Sequence, residues 1–289
     1  MRDTIDINSN DNALFITSQC NNRCVMCCQP PLLRNDLDGY FQKNKALIDS
    51  APRELRSLGI TGGEPTLLGD RLFELLRHIR TKLPETEIHL LTNGRAFADK
   101  EYARKLAECG EGKILLGVPL HAESAGDNDA ITQVHGAVGE PMHGLYNLGR
   151  YDIGIELRVV ITKMNYLRLP KLPDFIYRNL PFVEFISLMG LEYTGYTIKN
   201  RETVWIDPMD YQAELTQAVL ELRDWHMDVS IFNLPRCVLP EALWPFARKS
   251  ISDWKTQYLD ICRECTERPE CCGLFATSRM QSRGIKVIK

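Results

Sequence analysis

Three cysteines near the N-terminus have the spacing of an iron–sulfur site that leaves one iron open. Three residues separate Cys20 from Cys24, and two separate Cys24 from Cys27, so one short loop can bring three thiolates to a single 4Fe-4S cubane. The fourth iron then has no protein ligand, and it can bind the amino and carboxylate groups of a small molecule and pass one electron to it. A structural zinc site would normally have four protein ligands. Cys28 is a poor fourth ligand because it directly follows Cys27.

A second group of cysteines lies near the C-terminus. Cys262 and Cys265 form a CxxC pair, and five residues separate Cys265 from Cys271. Together with Cys237, they predict an auxiliary 4Fe-4S cluster that four thiolates close completely, with Cys272 as the alternative to Cys271. The same four cysteines could also bind zinc in a tetrahedral site. The sequence therefore does not decide between an iron–sulfur cluster and zinc.

The bulk composition excludes several classes of protein. The chain has 289 residues, of which 44% are hydrophobic and 25% charged, and its formal net charge is -3. These values favour a folded chain and provide no basic field for nucleic acid. The sequence has no apolar run of about 18 residues that would span a membrane, and its polar N-terminus is unlike a signal peptide. We therefore expect a cytoplasmic protein whose cysteines serve as metal ligands rather than disulfides.

Strands and helices alternate between the two cysteine groups. Apolar and β-branched runs predict strands at 13–17, 59–61, 88–91, 114–118, 153–161, 183–188 and 228–232. Apolar residues every three or four positions predict helices at 42–58, 67–83, 99–109, 140–150, 169–180 and 208–225. This order predicts an α/β fold with a parallel sheet, in the form of a partial (β/α)6 TIM-like barrel. The alternation stops near residue 233, so we predict a core barrel at 1–232 and a small, irregular, cysteine-rich segment at 233–289.

The motifs that could hold a ligand follow successive predicted strands. The first cysteine loop follows the first strand, Gly62-Gly63-Glu64-Pro65 follows the second, Thr92-Asn93-Gly94 the third, and His121 the fourth. Active sites of parallel barrels lie at the C-terminal ends of their strands. The path of the chain therefore predicts that these motifs share one edge of the sheet.

This combination of motifs resembles the radical SAM superfamily. The resemblance implies that S-adenosylmethionine (SAM) binds the open iron and is cleaved to a 5'-deoxyadenosyl radical. Met26 matches the bulky residue that precedes the third cysteine of the family motif. Gly62-Gly63-Glu64-Pro65 resembles the family's GGEP motif, in which the glycines let the backbone approach the cofactor. Glu64 would accept a hydrogen bond from the cofactor's amino group; without the cysteine motif, the same residues would indicate only a tight turn.

The loops after the third and fourth strands have weaker parallels in the family. By resemblance, Asn93 lies near the cofactor or substrate, although Asn-Gly is also an ordinary turn dipeptide. His121 precedes Asp129-Ala-Ile-Thr132 and Gly136, which looks like a pattern of peptide-modifying members. Asn128 stands where that pattern usually has His. His121 would contact ribose or substrate, or else is a polar residue at a strand end.

Two later strands supply the remaining residues that the resemblance implies. Arg158 lies inside an apolar strand, where a charge needs a partner. The resemblance makes Arg158 a candidate for the SAM carboxylate; the alternative is a structural ion pair with Glu156, which shares its strand face. The segment Ser187–Glu192 is similar to the family segment that packs on adenine, and Leu191 would make that contact through its backbone.

The C-terminal part of the chain points to one branch of the superfamily. The evidence is the C-terminal cysteines and the stretch from Cys237 to Lys255. The cysteines are similar to the auxiliary-cluster segments of the SPASM and twitch types. Together with Ser18 to Pro31, the stretch resembles the C-component radical SAM maturases found with His-Xaa-Ser repeat peptides. The implied substrate is a ribosomally synthesised peptide, and the implied partners are a reductant such as flavodoxin or ferredoxin and a partner maturase. We recognise no separate peptide-recognition domain, which is why a partner is expected.

Two further functions remain open from the sequence. The same chemistry could act on a small molecule or a nucleoside, since the net charge weighs against RNA but not against a nucleoside. A non-enzymatic, zinc-binding interaction protein would explain the cysteines but not the GGEP motif after the second strand. No general base or second radical carrier can be assigned from the sequence, so it names no catalytic side chain.

Overall fold

The computed structural model describes residues 4–9, 11–110, 112–134, 136, 139–250, 255–278 and 280–289. Seven strands form one sheet in chain order: β1 (Ala13–Phe15), β2 (Ser57–Thr61), β3 (Glu87–Leu91), β4 (Ile114–Pro119), β5 (Gly154–Val160), β6 (Phe185–Met189) and β7 (Val229–Phe232). The pairs β1–β2, β2–β3, β3–β4 and β6–β7 are parallel.

Helices separate these strands. They are α1 (Leu37–Ser50), α2 (Asp70–Lys82), α3 (Lys100–Gly110), α4 (Ala125–Thr132), α5 (Gly139–Arg150), α6 (Leu172–Asn179), α7 (Tyr196–Lys199), α8 (Arg201–Val204) and α9 (Gln212–Asp224). Among the described residues, no helix is both long and apolar enough to cross a membrane.

The chain forms two compact units. The first comprises Met1–Arg23, Gln29–Pro119 and Val134–Glu156, and the second comprises Cys24–Cys28, Leu120–Gln133 and Leu157–Lys289. Neither unit begins or ends at 232/233, and the predicted boundary there stays a prediction.

Two strands of the first unit alternate strictly between buried and more exposed residues. In β2 and β3, Leu58, Ile60, Ile88 and Leu90 are almost completely buried, while the residues between them are partly exposed. Helix α2 presents an apolar stripe that is also fully buried, formed by Leu72, Leu75, Leu76 and Ile79. Removing these side chains from water stabilises the unit by roughly 1.5–3 kcal/mol for each one.

Three helices differ from their predicted bounds for local reasons. Helix α1 ends at Ser50 instead of continuing to 58, because the next residue, Ala51, precedes Pro52 and adopts an extended conformation. Helix α2 starts at Asp70, after a 3-10 turn over Pro65–Leu68. Helix α9 starts at Gln212 rather than 208, after a shorter turn.

The second unit contains the C-terminal segment. Its described part has short 3-10 turns and one small antiparallel ladder, formed by β8 (Thr256–Gln257) and β9 (Leu274–Phe275). This agrees with the irregular structure predicted for 233–289. Residues 251–254, including Trp254 of the stretch used for the resemblance, lie outside the described residues, as do Ala137 and Val138 after Gly136.

Candidate active site

The GGEP loop packs directly on the chain that leads to Cys20. Gly63 N–H donates to Thr17 O at 2.6 Å, and Glu64 N–H donates to Gln19 O at 2.8 Å. A Cβ atom on Gly63 would lie 1.8 Å from Gln19 O, and Gly62 adopts φ +144°. Glycine is therefore required here so that two backbone segments can meet. This reason is independent of the predicted approach to a cofactor.

Glu64 is fully buried and accepts four hydrogen bonds. Its Oε1 accepts from Thr66 N–H at 3.0 Å, the Thr66 hydroxyl at 2.7 Å and the Thr92 hydroxyl at 2.7 Å. Its Oε2 accepts from Asn93 N–H at 2.7 Å. A buried carboxylate needs such partners, and the two bonds from Thr92 and Asn93 connect the loop after β2 to the loop after β3. The predicted bond from Glu64 to a cofactor amino group stays a prediction.

The loop after β3 holds the residues that follow Cys20. Asn93 Nδ2 donates to Asn21 Oδ1 at 2.6 Å. Arg95 Nη1 donates to Asn21 O at 2.9 Å and to Asn22 Oδ1 at 3.2 Å, while its Nε bonds Glu140 at 2.6 Å. Arg95 was missed by sequence reasoning, although its place directly after the Thr92-Asn93-Gly94 loop was a usable signal.

Asp36 fixes the segment just before Cys20. Its carboxylate accepts from the Thr17 hydroxyl at 2.5 Å, from Ser18 N–H at 3.1 Å and from the Ser18 hydroxyl, and Arg34 Nε lies 3.2 Å away. Burial opposes ionisation of Asp36, but these hydrogen bonds outweigh it and lower its pKa to about 2. The segment from Thr17 to Asn22 is thus held from two sides within the first unit.

The Cys20 thiol is partly buried in this network. Burial raises its pKa, and the nearby Glu64 carboxylate acts in the same direction. The Asn22 N–H, which donates to Cys20 Sγ at 3.3 Å, opposes the shift, as do Asn93 and Arg95. Cys20 therefore lies in a loop with fixed polar contacts.

The rest of the cysteine loop belongs to the second unit. Val25 N–H donates to Ile131 O at 2.9 Å, and Asn200 Nδ2 donates to Val25 O at 2.8 Å. Tyr196 N–H donates to Cys27 O at 2.9 Å. Met26 is buried. Every part of this short segment is therefore tied down through its backbone.

Joint ligation of one cluster by the three cysteines stays a prediction. Cys20 belongs to the first unit, whereas Cys24 and Cys27 belong to the second. Within the described ranges, no three His, Cys, Asp or Glu side chains are already gathered as ligands of a metal ion. The same holds for the C-terminal cysteines, where the choice between iron–sulfur and zinc stays open.

The C-terminal thiols nevertheless influence one another. Burial raises the pKa of Cys237, and Cys271 and Cys262 raise it further. A hydrogen bond from Cys272 lowers the pKa of Cys271 to about 6, whereas the same bond, together with burial, raises the pKa of Cys272. Thiolate character therefore concentrates on Cys271, the ligand that the spacing favours.

His121 is buried in the second unit with an unsatisfied nitrogen. The residue is 3% exposed, and its Nδ1 has no hydrogen-bond partner among the described residues. Burial lowers its pKa to about 4, so the imidazole is neutral at pH 7. Its backbone is fixed by Asn128 Oδ1, which accepts from His121 N–H at 2.9 Å, and by Asn165 Nδ2, which donates to His121 O at 2.8 Å. Asn128, at a position where His is usual in the resembled pattern, thus shapes this loop.

The strand residues Glu156 and Arg158 lie on one face of β5. Glu156 is buried, and its Oε2 lies 2.7 Å from His89 Nε2 on β3. Arg158 is half-buried, and the two predicted roles for it stay predictions. His89 was also missed, although a polar residue between the buried Ile88 and Leu90 was a signal of an occupied opposite face.

Leu191 lines a cavity in the second unit. The cavity encloses about 640 Å³, including space open to solvent, and Leu191 and Asn233 contribute to it from just beyond the ends of β6 and β7. The C-terminal segment contributes Phe275, Ser278 and Met280. The predicted adenine contact of Leu191 is not tested by this placement, but the residue does border open space at a strand end.

Known proteins share this sequence pattern. Residues 14–153 match the Radical SAM superfamily. The Fe-coproporphyrin III synthase of Methanosarcina barkeri is 32% identical over 60% of this chain and 43% of its own length. The GTP 3',8-cyclase of Campylobacter jejuni subsp. doylei is 24% identical over 80% of this chain and 71% of its own length.

Solved structures share the fold. Streptococcus suis SuiB bound to S-adenosylmethionine has a TM-score of 0.59 and 18% identity, over 76% of this chain and 49% of that one. The protein anSMEcpe, with bound AdoMet and Kp18Cys peptide, has a TM-score of 0.56 and 18% identity, over 76% and 62%. At these identities the likeness shows the fold alone, and it confirms the predicted partial-barrel α/β class.

The match to the Radical SAM superfamily covers residues 14–153, a little under half of the chain, so the family of the whole chain is also a matter for proposal. Three of its curated relatives, including a cofactor-modifying protein of Pyrococcus furiosus and a pre-heme d1 synthase of Dinoroseobacter shibae, are matched over only 43% to 47% of their length. The substrate and partners of the whole protein are therefore matters for proposal.

Proposed function

We propose that this protein is a radical SAM enzyme that modifies a ribosomally synthesised peptide. Cys20, Cys24 and Cys27 hold a 4Fe-4S cluster, and SAM binds its open iron. When bound, this group supplies a 5'-deoxyadenosyl radical that abstracts a hydrogen atom from the substrate. The observation that carries the proposal is the CxxxCxxC loop after β1, whose first half is tied to the GGEP loop and to the Asn93 loop in the first unit.

The protein's own residues position the loop that would hold the cofactor. Glu64, Asn93 and Arg95 hold the loop that starts at Cys20, so the thiolate stays in place when the cluster changes charge. The neutral, buried His121 can accept or donate one hydrogen bond without adding a charge. Cys237, Cys262, Cys265 and Cys271 hold an auxiliary 4Fe-4S cluster, with zinc as the alternative metal.

Two observations support a peptide as the substrate. The C-terminal cysteine segment resembles the auxiliary-cluster segments of peptide-modifying enzymes, and both solved structures named above are also known in complexes with peptides. The partners of this function are a flavodoxin or ferredoxin and a second maturase of a His-Xaa-Ser system.

A small-molecule substrate is the second candidate. It is favoured by the curated relatives, whose names describe a GTP cyclase and synthases of tetrapyrrole type. The same cluster and cofactor residues would serve it, so the two candidates differ only in what the radical attacks.

Metal analysis tests the enzyme class first. After anaerobic reconstitution, about eight irons per chain fit two cubanes, and dithionite with SAM should yield 5'-deoxyadenosine. The Cys24→Ala variant should yield none, whereas Cys265→Ala should retain some cleavage. Zinc alone, with no absorbance change on reduction, would rule out both radical SAM candidates.

Mass spectrometry then separates the two substrates. The protein is incubated with SAM, reductant and the short peptide encoded beside its gene, and the peptide mass is measured. A changed mass supports the peptide function. An unchanged mass with every encoded peptide, while GTP or a porphyrin is consumed, supports the small-molecule candidate.

A further inference from the structure

His89 and Glu156 form a close polar pair on two strands that are not neighbours in the sheet. His89 lies in β3 and Glu156 in β5, with β4 between them in the sheet order. His89 Nε2 is 2.7 Å from Glu156 Oε2. Nε2 is buried, yet no hydrogen bond is aligned with it. The imidazole and the carboxylate are therefore in close contact.

Both side chains project from the face opposite the packed core of the first unit. Their strand neighbours Ile88, Leu90 and Ile155 are 0–1% exposed, and successive strand residues point to opposite faces. The His89 side chain is 33% exposed, and that of Glu156 only 6%. Because Nε2 itself is buried against the carboxylate, the accessible part of the imidazole is the rest of the ring. A reachable imidazole backed by a buried carboxylate is the arrangement of a base and its orienting group.

His89 lies on the same strand that leads to the Asn93 loop of the proposed active site. Asn93, four residues later in the chain, lies in the loop that holds the residues after Cys20. At about 3.3 Å per residue, His89 lies about 13 Å before Asn93 along the strand direction. Its partly exposed ring is therefore set back from the strand-end loops, and the inference requires the substrate to reach the ring there. This relation rests on the proposed function.

We infer that His89, oriented by Glu156, accepts the proton released when the substrate radical is oxidised. In that step, hydrogen abstraction first breaks a C–H bond of the peptide, and the hydrogen atom leaves in 5'-deoxyadenosine. The carbon radical then bonds to a nitrogen, oxygen or sulfur atom of the peptide, whose X–H bond breaks. The proton passes to the His89 imidazole, and the electron would be taken up by an iron–sulfur acceptor of the proposed enzyme. The substrate class is a peptide with such an X–H group near the attacked carbon.

The chain provides a matched control for this inference. His78 on α2 also contacts a carboxylate, since its Nε2 lies 3.1 Å from Asp49 Oδ1 on α1. This pair joins two helices of the first unit rather than two strands. His78→Gln removes an imidazole–carboxylate pair of the same kind without touching β3 or β5. His89→Gln, His89→Gly and Glu156→Gln are compared with it, and circular dichroism checks that each variant folds.

Product analysis is the first test. General bases contribute about 10²–10⁴-fold to rates, so His89→Gln should lower peptide modification at least 100-fold while 5'-deoxyadenosine still forms. Glu156→Gln should lower modification less, and added imidazole should restore part of it in His89→Gly. Equal losses of 5'-deoxyadenosine and product, or a His89→Gln loss no larger than that of His78→Gln, would overturn the inference. If wild type forms no 5'-deoxyadenosine, the proposed function itself has failed.

Chemical labelling gives a readout that needs no turnover. Diethylpyrocarbonate should modify both His89 and His78 in the reconstituted protein, as mapped by mass spectrometry. The encoded His-Xaa-Ser peptide should protect His89 at least threefold and leave His78 unchanged. Protection of neither residue by a peptide that the enzyme does modify would place the substrate elsewhere and contradict the role of His89.

Discussion

Arg95 connects three parts of the first unit through one side chain. Its guanidinium reaches Asn21, Asn22 and Glu140 at once. Five fixed donors make Arg suited to this task, and Lys could not reproduce the fork. The residue acts on the cysteine loop rather than on a substrate, so it is a positioning residue.

We predict that Arg95→Gln loosens the cysteine loop and, with it, the proposed cluster. The variant should lose iron to a chelator several-fold faster than wild type, because Asn21 and Asn22 lose their shared donor. Iron loss is followed by absorbance under anaerobic conditions. Arg104→Gln is the control, since Arg104 makes exposed ion pairs with Glu101 and Glu108 on α3, and such pairs contribute little to stability. Equal rates in the two variants would refute the positioning role.

Glu64 stabilises the same region through its four hydrogen bonds. Replacing it with Gln turns one oxygen into a donor that faces donor groups of Thr66, Thr92 or Asn93. Leaving such buried groups unpaired costs about 1–3 kcal/mol, and the free energy of unfolding should fall by that amount in urea denaturation. Glu74→Gln, which removes an exposed pair with Lys45, should change it by less than about 1 kcal/mol. A similar small effect for Glu64→Gln would mean that the network contributes little.

His121 makes stability depend on pH. Its pKa is about 4 in the folded chain and 6.5 ordinarily, so the unfolded chain takes up a proton that the folded chain refuses. The free energy of unfolding should therefore fall as pH drops from 6.5 to 4, by about 3 kcal/mol from this residue, and no further below 4. In His121→Gln this component should vanish. Urea denaturation of the two proteins at pH 7 and pH 4.5 measures the difference, and identical pH dependence would contradict it.

At the scale of elements, loops are fixed by the strands that precede them. The loops after β2 and β3 are joined by Glu64, and the segment after β1 passes between them and Asp36. The loops after β2 and β3 are short, so the ends of these two strands determine where their motifs lie. The parallel register of β1, β2 and β3 is what makes these contacts possible.

The contact between two loops predicts a strong effect of one methyl group. Gly63→Ala would place Cβ against the Gln19 carbonyl, so the loop must move, and we expect destabilisation above about 2 kcal/mol. Gly39→Ala is the matched control, because open space surrounds Gly39 in the first turn of α1, and it should be neutral or stabilise by up to about 1 kcal/mol. Thermal melts of both variants compare the effects. A folded, unperturbed Gly63→Ala protein would show that the loop has room to adapt.

At the scale of the whole molecule, the sheet has the strand order that the sequence predicted. The alternation of strands and helices predicted a parallel sheet, and the seven strands follow in chain order. The bounds of α1 and α9 differed because Pro52 and the turn before Gln212 act locally, where periodicity carries little information. The sequence also missed α4, whose first turn is capped by the Ser124 hydroxyl, which accepts from Asp127 N–H at 3.4 Å.

The sequence by itself determined the chemistry to expect and the order of the elements. The spacing of Cys20, Cys24 and Cys27, followed by the GGEP motif, is local information, and so is the hydrophobic period of each helix and strand. Only the tertiary structure decided which polar groups meet. Arg95 reaches Asn22, and His89 reaches Glu156, because strands far apart in the chain are aligned by backbone hydrogen bonds. No spacing along the sequence encodes that alignment.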